Sequence, residues 1–517
     1  MVSKNFVWRT RLIYGFALSV LALATPLTFA PYYCFWLMPL LFAGLILFVD
    51  VYGQRKILSV YYFAWLAYTA QFWWIHTALH DVSGLSNVFA IPLTFLLPLY
   101  LALFPAMAFW LLEKFHLSRQ WSIGVALPLL WTITEFARER ALTGFGWGAL
   151  GYSQIADNSP LAALAPIGGI HLVTLATAFV GAWLALLVGN VHWQQRITIV
   201  LSLITLFSGC WIFRGVTFTQ GTGESATVAL LQGNIEQSLK FDENALVNTY
   251  QRYYQQVSHT QADIVVLPET AFPQFLQHIE PGLITQFADV AMRNGSALAI
   301  GVPALSKDGR GYLNTMVNLA DYDPEFSQRV EFYSKNHLVP FGEYKPFPAI
   351  TEPLYQIMNM PLADFQRGGE GQKPFSMANQ KVAFNICYED GFGDELILSA
   401  RQSTLLANSS NMAWYGHSNA MWQQLQQSQA RALELGRYMI RATNTGATAI
   451  VSPKGEVLAQ LSPNVDAVLE GEIEGMTGQT PYMEMGGAKP LISVLTALSG
   501  VLFIWGKWRR KTKQRTA

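Results

Sequence analysis

Charge is what this sequence has least of. Asp, Glu, Lys and Arg supply 13% of its 517 residues, and hydrophobic residues supply 51%. A soluble globular protein carries about 25% charged residues. Disorder is excluded and a wholly soluble chain is not expected; the mean hydropathy of +0.24 points the same way. Cysteine is scarce, at three residues, too few for a disulfide framework. The nine histidines are scattered without ligand spacing, so no metal is expected. No glycine-rich phosphate cradle, heptad, fixed-period repeat or low-complexity tract is present, and no cofactor is implied. Net charge is zero, but unevenly built. Residues 1–220 hold 11 basic and 6 acidic residues and 491–517 hold six basic and none acidic, which leaves 17 basic and 28 acidic for 221–490. An acidic middle between basic flanks offers nothing to nucleic acid.

What is present is a succession of apolar runs. Spans are predicted near 12–30, 33–51, 57–79, 88–112, 121–136, 161–189, 197–213 and 491–506; about 20 apolar residues cross the hydrocarbon. The fifth is short and holds Pro128. Thr28-Phe29-Ala30 could close a secretory signal, but a second apolar run follows at once, so the first is expected to stay as an uncleaved span. Lys4, Arg9, Arg11, Arg55, Lys56, Lys114, Arg119, Arg196 and the basic tail fall on one side, while TPLTFAPYY and the HDVSGLSN region lack Lys and Arg; only Arg138 and Arg140 run against the trend. The bias places both termini in the cytoplasm and the middle outside. The expected division is a seven-span transmembrane domain at 1–220, an extracytoplasmic domain at 221–488, and a last span with a basic tail at 489–517.

From Thr227 short apolar strands alternate with amphipathic helices: TVALLQG, a helix over 245–261, ADIVVLPE, a helix over 282–294, ALAIGVPAL, KVAFNIC and STLLANSS. That alternation predicts an α/β domain, whose ligands collect at the carboxyl ends of strands. Glu269, Cys387 and Asn408 are read at such ends. Cys387 is alone in the outward domain. Either it is a small buried hydrophobe or, beside two carboxylates in ICYED, a nucleophile. A thiol attacks once a base takes its proton or a cation steadies the thiolate. Glu269 could be that base and Lys335 that cation, or each could be an ordinary solvated charge.

Several stretches together resemble the bacterial apolipoprotein N-acyltransferases, members of the nitrilase superfamily on a polytopic membrane base. They are LLQGNIEQSLKFDE (230–243), LPETAFP (267–273), YSKNHLVPFGEY (333–344), FNICYED (384–390), the TEFAR…LTGFGW…GYSQ region (134–154) and RATNTGATAIVSPKGE (441–456). The resemblance covers essentially the whole chain. It implies a membrane α-helical bundle of about eight spans plus a periplasmic nitrilase-like α-β-β-α sandwich, in the inner membrane. It further implies Cys387 as nucleophile, Glu269 as general base and Lys335 as stabiliser of the charged intermediate. Glu343, Tyr388 and Glu389 would support them, with the Tyr388 N–H in an oxyanion hole; Trp414 and Tyr415 match an aromatic pair at the acyl entrance. Two positions depart from the family pattern: Phe241 where a tryptophan is frequent, and Met412 where an acid is. Arg138 is expected to meet a phospholipid headgroup or to snorkel at the interface. The implied reaction moves an acyl chain from a phospholipid, phosphatidylethanolamine by expectation, through a cysteine thioester to the N-terminal amine of a diacylglyceryl-apolipoprotein. A monomer is expected. The competing readings are a membrane-anchored carbon–nitrogen hydrolase with water as acceptor, and a transporter or receptor indifferent to Cys387→Ser.

Overall fold

The computed structural model describes residues 4–52, 55–189, 191–237, 243–306, 309, 311–320, 330–349, 352 and 364–516. The chain divides into two compact units: Met1–Trp73 with Val88–Val216 and Met485–Ala517, and Trp74–Asn87 with Thr217–Glu484. The expected division placed Trp74–Asn87 with the first unit; the structure groups it with the second.

The first unit is helical. Among the described residues four helices are long and apolar enough to cross a membrane, Asn87–Glu113, Pro160–Val188, Trp193–Arg214 and Lys489–Thr512, and Leu12–Thr28 and Leu37–Asp50 are shorter apolar helices. At 1.5 Å per residue, the 24 residues of Lys489–Thr512 extend about 36 Å, beyond the roughly 30 Å of hydrocarbon. The fifth predicted span is helical from Arg119 to Arg140, and a π turn over Ser122–Ala126 lies just before Pro128, the kind of local irregularity at which a helix interior is interrupted. Trp193–Arg214 exposes Ile197, Leu201, Ile204, Trp211 and Ile212. Such a face is ruinous in water and natural in lipid. The chain is a membrane protein.

The second unit is a two-sheet sandwich. One sheet runs β12-β1-β2-β3-β4-β5 and the other β11-β10-β9-β8-β7-β6. The first comprises β1 (Thr219–Gln232), β2 (Ile264–Val266), β3 (Ala297–Leu305), β4 (Tyr312–Asn318), β5 (Phe332–Ser334) and β12 (Ala467–Gly478). The second comprises β6 (Phe375–Met377), β7 (Gln380–Ile386), β8 (Leu405–Ser410), β9 (Met439–Thr443), β10 (Ala449–Val451) and β11 (Val457–Gln460). β1–β2–β3 and β7–β8–β9 pair in parallel at the centres. Parallel strands covered on both faces read as continuous apolar runs rather than alternations, and β3 is buried along almost its whole length. Within β1, Val228 and Leu230 turn to the inter-sheet core with Ile264, Phe384 and Ile440. Ala229 and Leu231 turn the other way, onto helices α1 (Glu243–His259) and α2 (Pro281–Arg293). On the second sheet's outer face lie α3 (Gly393–Ala400) and α4 (Ala420–Leu435). The two predicted helices of the first layer thus lie within two residues of α1 and α2.

Candidate active site

Three of the expected residues follow directly on strand ends. Glu269 comes three residues after β2, Lys335 immediately after β5, and Cys387 immediately after β7. Cys387 has a left-handed backbone, φ 55°, and Thr270 beside Glu269 has φ 52°. Such values are rare for side chains with a Cβ and are held only where the surroundings over-determine them. Here the elbow lifts the sulfur off the strand. Asn408 lies inside β8 rather than at its end, a correction to the sequence reading; its amide donates to the Cys387 carbonyl at 3.4 Å.

Lys335 is 1% exposed and bridges two carboxylates, at 2.9 Å to Glu343 and 3.6 Å to Glu269. Burial alone would lower its pKa; Glu343 and Glu269 reverse this and hold it above the ordinary lysine value. Asn314 Nδ2 donates to Glu269 at 2.7 Å and to Glu343 at 3.0 Å, so one amide sets both carboxylates. The other Glu269 oxygen accepts from the Asn411 N–H at 2.8 Å, and the other Glu343 oxygen from the Val339 N–H at 2.8 Å. The Cys387 thiol is pushed up to about 12, first by burial and then by the charge of Glu269, with Lys335 opposing. At rest, therefore, the sulfur carries its proton, and attack requires a base to remove it.

Glu389 serves the backbone. Its carboxylate accepts from the N–H groups of Asn336 (2.7 Å), His337 (3.1 Å) and Ile386 (2.6 Å) and from the Tyr333 hydroxyl (2.8 Å). It thereby ties the residue after Lys335 to the residue before Cys387. Tyr388 packs edge-on against Phe392 and His337. Trp414 and Tyr415 are half-buried in the single turn Ala413–Tyr415. Trp74 stands edge-on to Tyr415, ring centroids 4.8 Å apart, and its indole N–H donates to Gln423 at 3.3 Å. Burial, then the Cys387 charge, raises the Tyr415 phenol, which marks its nearness to the sulfur. Met412 is buried, its side chain against Gly446. Phe241 lies outside the described residues.

Arg138 departs from expectation. It is 0% exposed, donates to the carbonyls of Trp147 (2.7 Å) and Gly146 (3.5 Å), and lies over the Tyr68 ring. A guanidinium so engaged pins the 141–149 loop and presents no surface charge to a headgroup.

Sequence reasoning missed Asn314, Gln424 and Arg441. Asn314 is an unremarked polar residue in a short strand. Gln424 sits among five glutamines of α4, nearly all of whose residues are buried, and uncharged polar residues inside a buried helix were the available sign. Arg441 interrupts the apolar strand β9.

A carbon–nitrogen-hydrolase domain joined to apolar membrane helices is the class this architecture defines. Residues 227–482 match the family model described as carbon-nitrogen hydrolase, and residues 21–183 match the apolipoprotein N-acyltransferase N-terminal domain. An apolipoprotein N-acyltransferase of Neisseria meningitidis serogroup A is 56% identical over 98% of this chain and 99% of its own. That of Chromobacterium violaceum is 46% identical over 94% and 92%, and that of Vibrio cholerae 34% over 98% and 99%. The chain belongs to the apolipoprotein N-acyltransferase family and is an acyltransferase.

Proposed function

We propose that the protein moves an acyl chain from the sn-1 ester of a membrane phospholipid, phosphatidylethanolamine in the first instance, to the N-terminal amine of the diacylglyceryl-cysteine of apolipoproteins. Glu269 takes the Cys387 proton as the sulfur attacks the ester carbonyl. Lys335, assisted by the Tyr388 N–H, steadies the oxyanion. The lysophospholipid leaves with the proton, and the acyl chain stays as a thioester. The acceptor amine then attacks and the amide forms downhill from the thioester, a ping-pong sequence. The observation that carries this reading is the buried Lys335 set between Glu269 and Glu343 beside the Cys387 thiol. Trp414 and Tyr415 are assigned to the acyl entrance.

The same reading places eight spans in the inner membrane, both termini in the cytoplasm, and residues 221–488 in the periplasm as the catalytic domain of a monomer. The distribution of Lys and Arg and the apolar helices support it. Both substrates are lipids, and a membrane base spares the enzyme their extraction.

The test is the intact mass of the full-length protein after incubation with phosphatidylethanolamine and no acceptor. One acyl-chain increment, removed by neutral hydroxylamine and absent from Cys387→Ala, is expected. Release of free fatty acid with no increment on folded protein would favour the hydrolase.

A further inference from the structure

The thiol has a neighbour that the Glu269–Lys335–Cys387 reading leaves unused. Gln424, in the first turns of α4, points its Nε2 at Cys387 Sγ, 3.7 Å away, while its Oε1 accepts from Arg441 Nη2 at 2.5 Å. An arginine can only donate. The amide's oxygen must therefore face Arg441, and its N–H must face the sulfur. Arg441 is itself fixed from three directions: its Nη1 donates to Asn408 at 2.7 Å, to Ser428 at 3.0 Å and to Asp390 at 3.2 Å. Ser428 in turn donates to Asp390, and Ser410 donates to Asn408 at 2.7 Å. Gln424, Arg441, Asp390, Asn408, Ser410 and Ser428 are all at most 1% exposed.

Burying a guanidinium between the second sheet and α4 is costly, and packing alone is better served by a hydrophobe of similar volume. Burial lowers the Arg441 pKa, against the pull of Asp390. The arrangement makes sense if it does something at its far end, and its far end is the sulfur.

We infer that Gln424 is a catalytic hydrogen-bond donor to the Cys387 sulfur and that Arg441 is the positioning residue that fixes its amide. This deepens the acyl-enzyme reading and rests on it. A neutral thiol is a weak acceptor and a thiolate a strong one, so the bond tightens only as sulfur gains charge, which is where an interaction accelerates a step. That happens twice. In acylation the S–H proton passes to Glu269 while sulfur bonds to the ester carbonyl carbon; the C–O bond then breaks and the departing alcohol oxygen takes the proton. In transfer the acceptor nitrogen bonds to the thioester carbon and the C–S bond breaks with its electron pair on sulfur. The proton shed by the amine returns through Glu269 to the sulfur. In both halves the Gln424 N–H faces the sulfur as it becomes anionic.

The experiment uses the full-length protein with Cys34 and Cys210 changed to alanine, so that Cys387 alone reacts. Iodoacetamide alkylation of Cys387 is followed by intact mass across pH without lipid, and single-turnover acylation by phosphatidylethanolamine is timed separately. The charged and titratable groups around the sulfur, Glu269, Lys335, Glu343, Tyr415 and Arg441, are common to the parent and Gln424→Met, so the difference between those two isolates the amide, whereas Gln424→Glu adds a carboxylate of its own. Gln424→Met should slow alkylation at a fixed pH below 10, and acylation, each by roughly ten- to a hundredfold. Gln424→Glu keeps the volume and an acceptor for Arg441 but offers the sulfur an oxygen; it should slow both reactions at least as much with an undiminished Tm. Arg441→Met frees the amide to turn and should give the alkylation shift of Gln424→Met. Alkylation profiles of the two Gln424 variants that superimpose on the parent's would overturn the inference. Absence of an acyl adduct on the parent would instead overturn the acyl-enzyme reading, while the alkylation comparison would still decide the role of Gln424.

Discussion

Lys335 is the residue on which the site balances. One buried cation answers two carboxylates, Glu269 buried and Glu343 largely so, and removing a partner from such a set typically costs about 3–5 kcal/mol because the charge left behind is uncompensated. Lys335→Met should therefore lower the apparent Tm markedly at neutral pH, measured by scanning fluorimetry in detergent. The pH dependence has a definite sign. Lys335 is held above its ordinary value, so its contribution in the parent is constant below the unfolded value and is lost only as pH rises through the folded one. The deficit of the variant relative to the parent should therefore hold from pH 5 to pH 9 and shrink only as pH rises past the ordinary lysine value of about 10.4. A deficit that grows or stays constant as pH rises past that value would remove the electrostatic explanation. Residue identity made part of this arrangement legible: the lone cysteine, the glutamate and the lysine that stand out in their motifs are the three side chains the fold brings together. Asn314, Gln424 and Arg441 do not, because an amide or a buried arginine acquires its role from what the fold sets against it. Arg138 failed for the complementary reason. A basic residue at the end of an apolar run reads as an interfacial charge, and only the returning 141–149 loop, with its inward carbonyls, shows otherwise.

Among the elements, β2 and β3 decide where Glu269 stands. β3 is continuously apolar, and Gly301 within it lies so close to the turn after β2 that an added Cβ would come 2.9 Å from the Glu269 Cα and closer still to the Pro268 carbonyl. The missing side chain admits the turn that aims Glu269. Gly301→Ala should push that turn away, lowering the Tm, and on the folded protein, checked by far-UV circular dichroism, lower the acylation rate by about a hundredfold, the usual scale for small misplacements of a reacting group. An acylation rate equal to the parent's would show that the turn tolerates displacement. The element pattern itself was readable because strands covered on both faces show as short apolar runs, while helices covered on one face keep the period of 3.6. The pairing order was not, since β12 returns from the far end of the domain to flank β1, and nothing in either strand names its neighbour. Span limits were harder to read in the first unit. Pro92 and Pro98 inside one helix and the Gly168–Gly169 break inside another interrupt runs that composition shows as continuous.

For the whole molecule the division of charge is the most testable feature. If 221–488 is outside and the basic tail inside, a cysteine placed at Leu458, 54% exposed, in the Cys34→Ala/Cys210→Ala background should react with a membrane-impermeant maleimide in intact cells after outer-membrane permeabilisation. One placed at Lys511 should react only after the inner membrane is broken. Reaction of the Lys511 position in intact cells, or protection of the Leu458 position, would invert the topology.

The second unit draws on residues from either side of a long apolar interval, and this bears on how the enzyme could be divided or inherited. Trp74, which abuts Tyr415 and hydrogen-bonds Gln423, enters the chain some 140 residues before the first strand of the sandwich. A gene segment coding for 217–484 would look self-sufficient by strand and helix count and would still arrive without the ring that packs against Tyr415. The sandwich unit is therefore no interchangeable cassette: recombination with another membrane anchor would have to carry the short Trp74–Asn87 stretch along, or evolve a substitute for it.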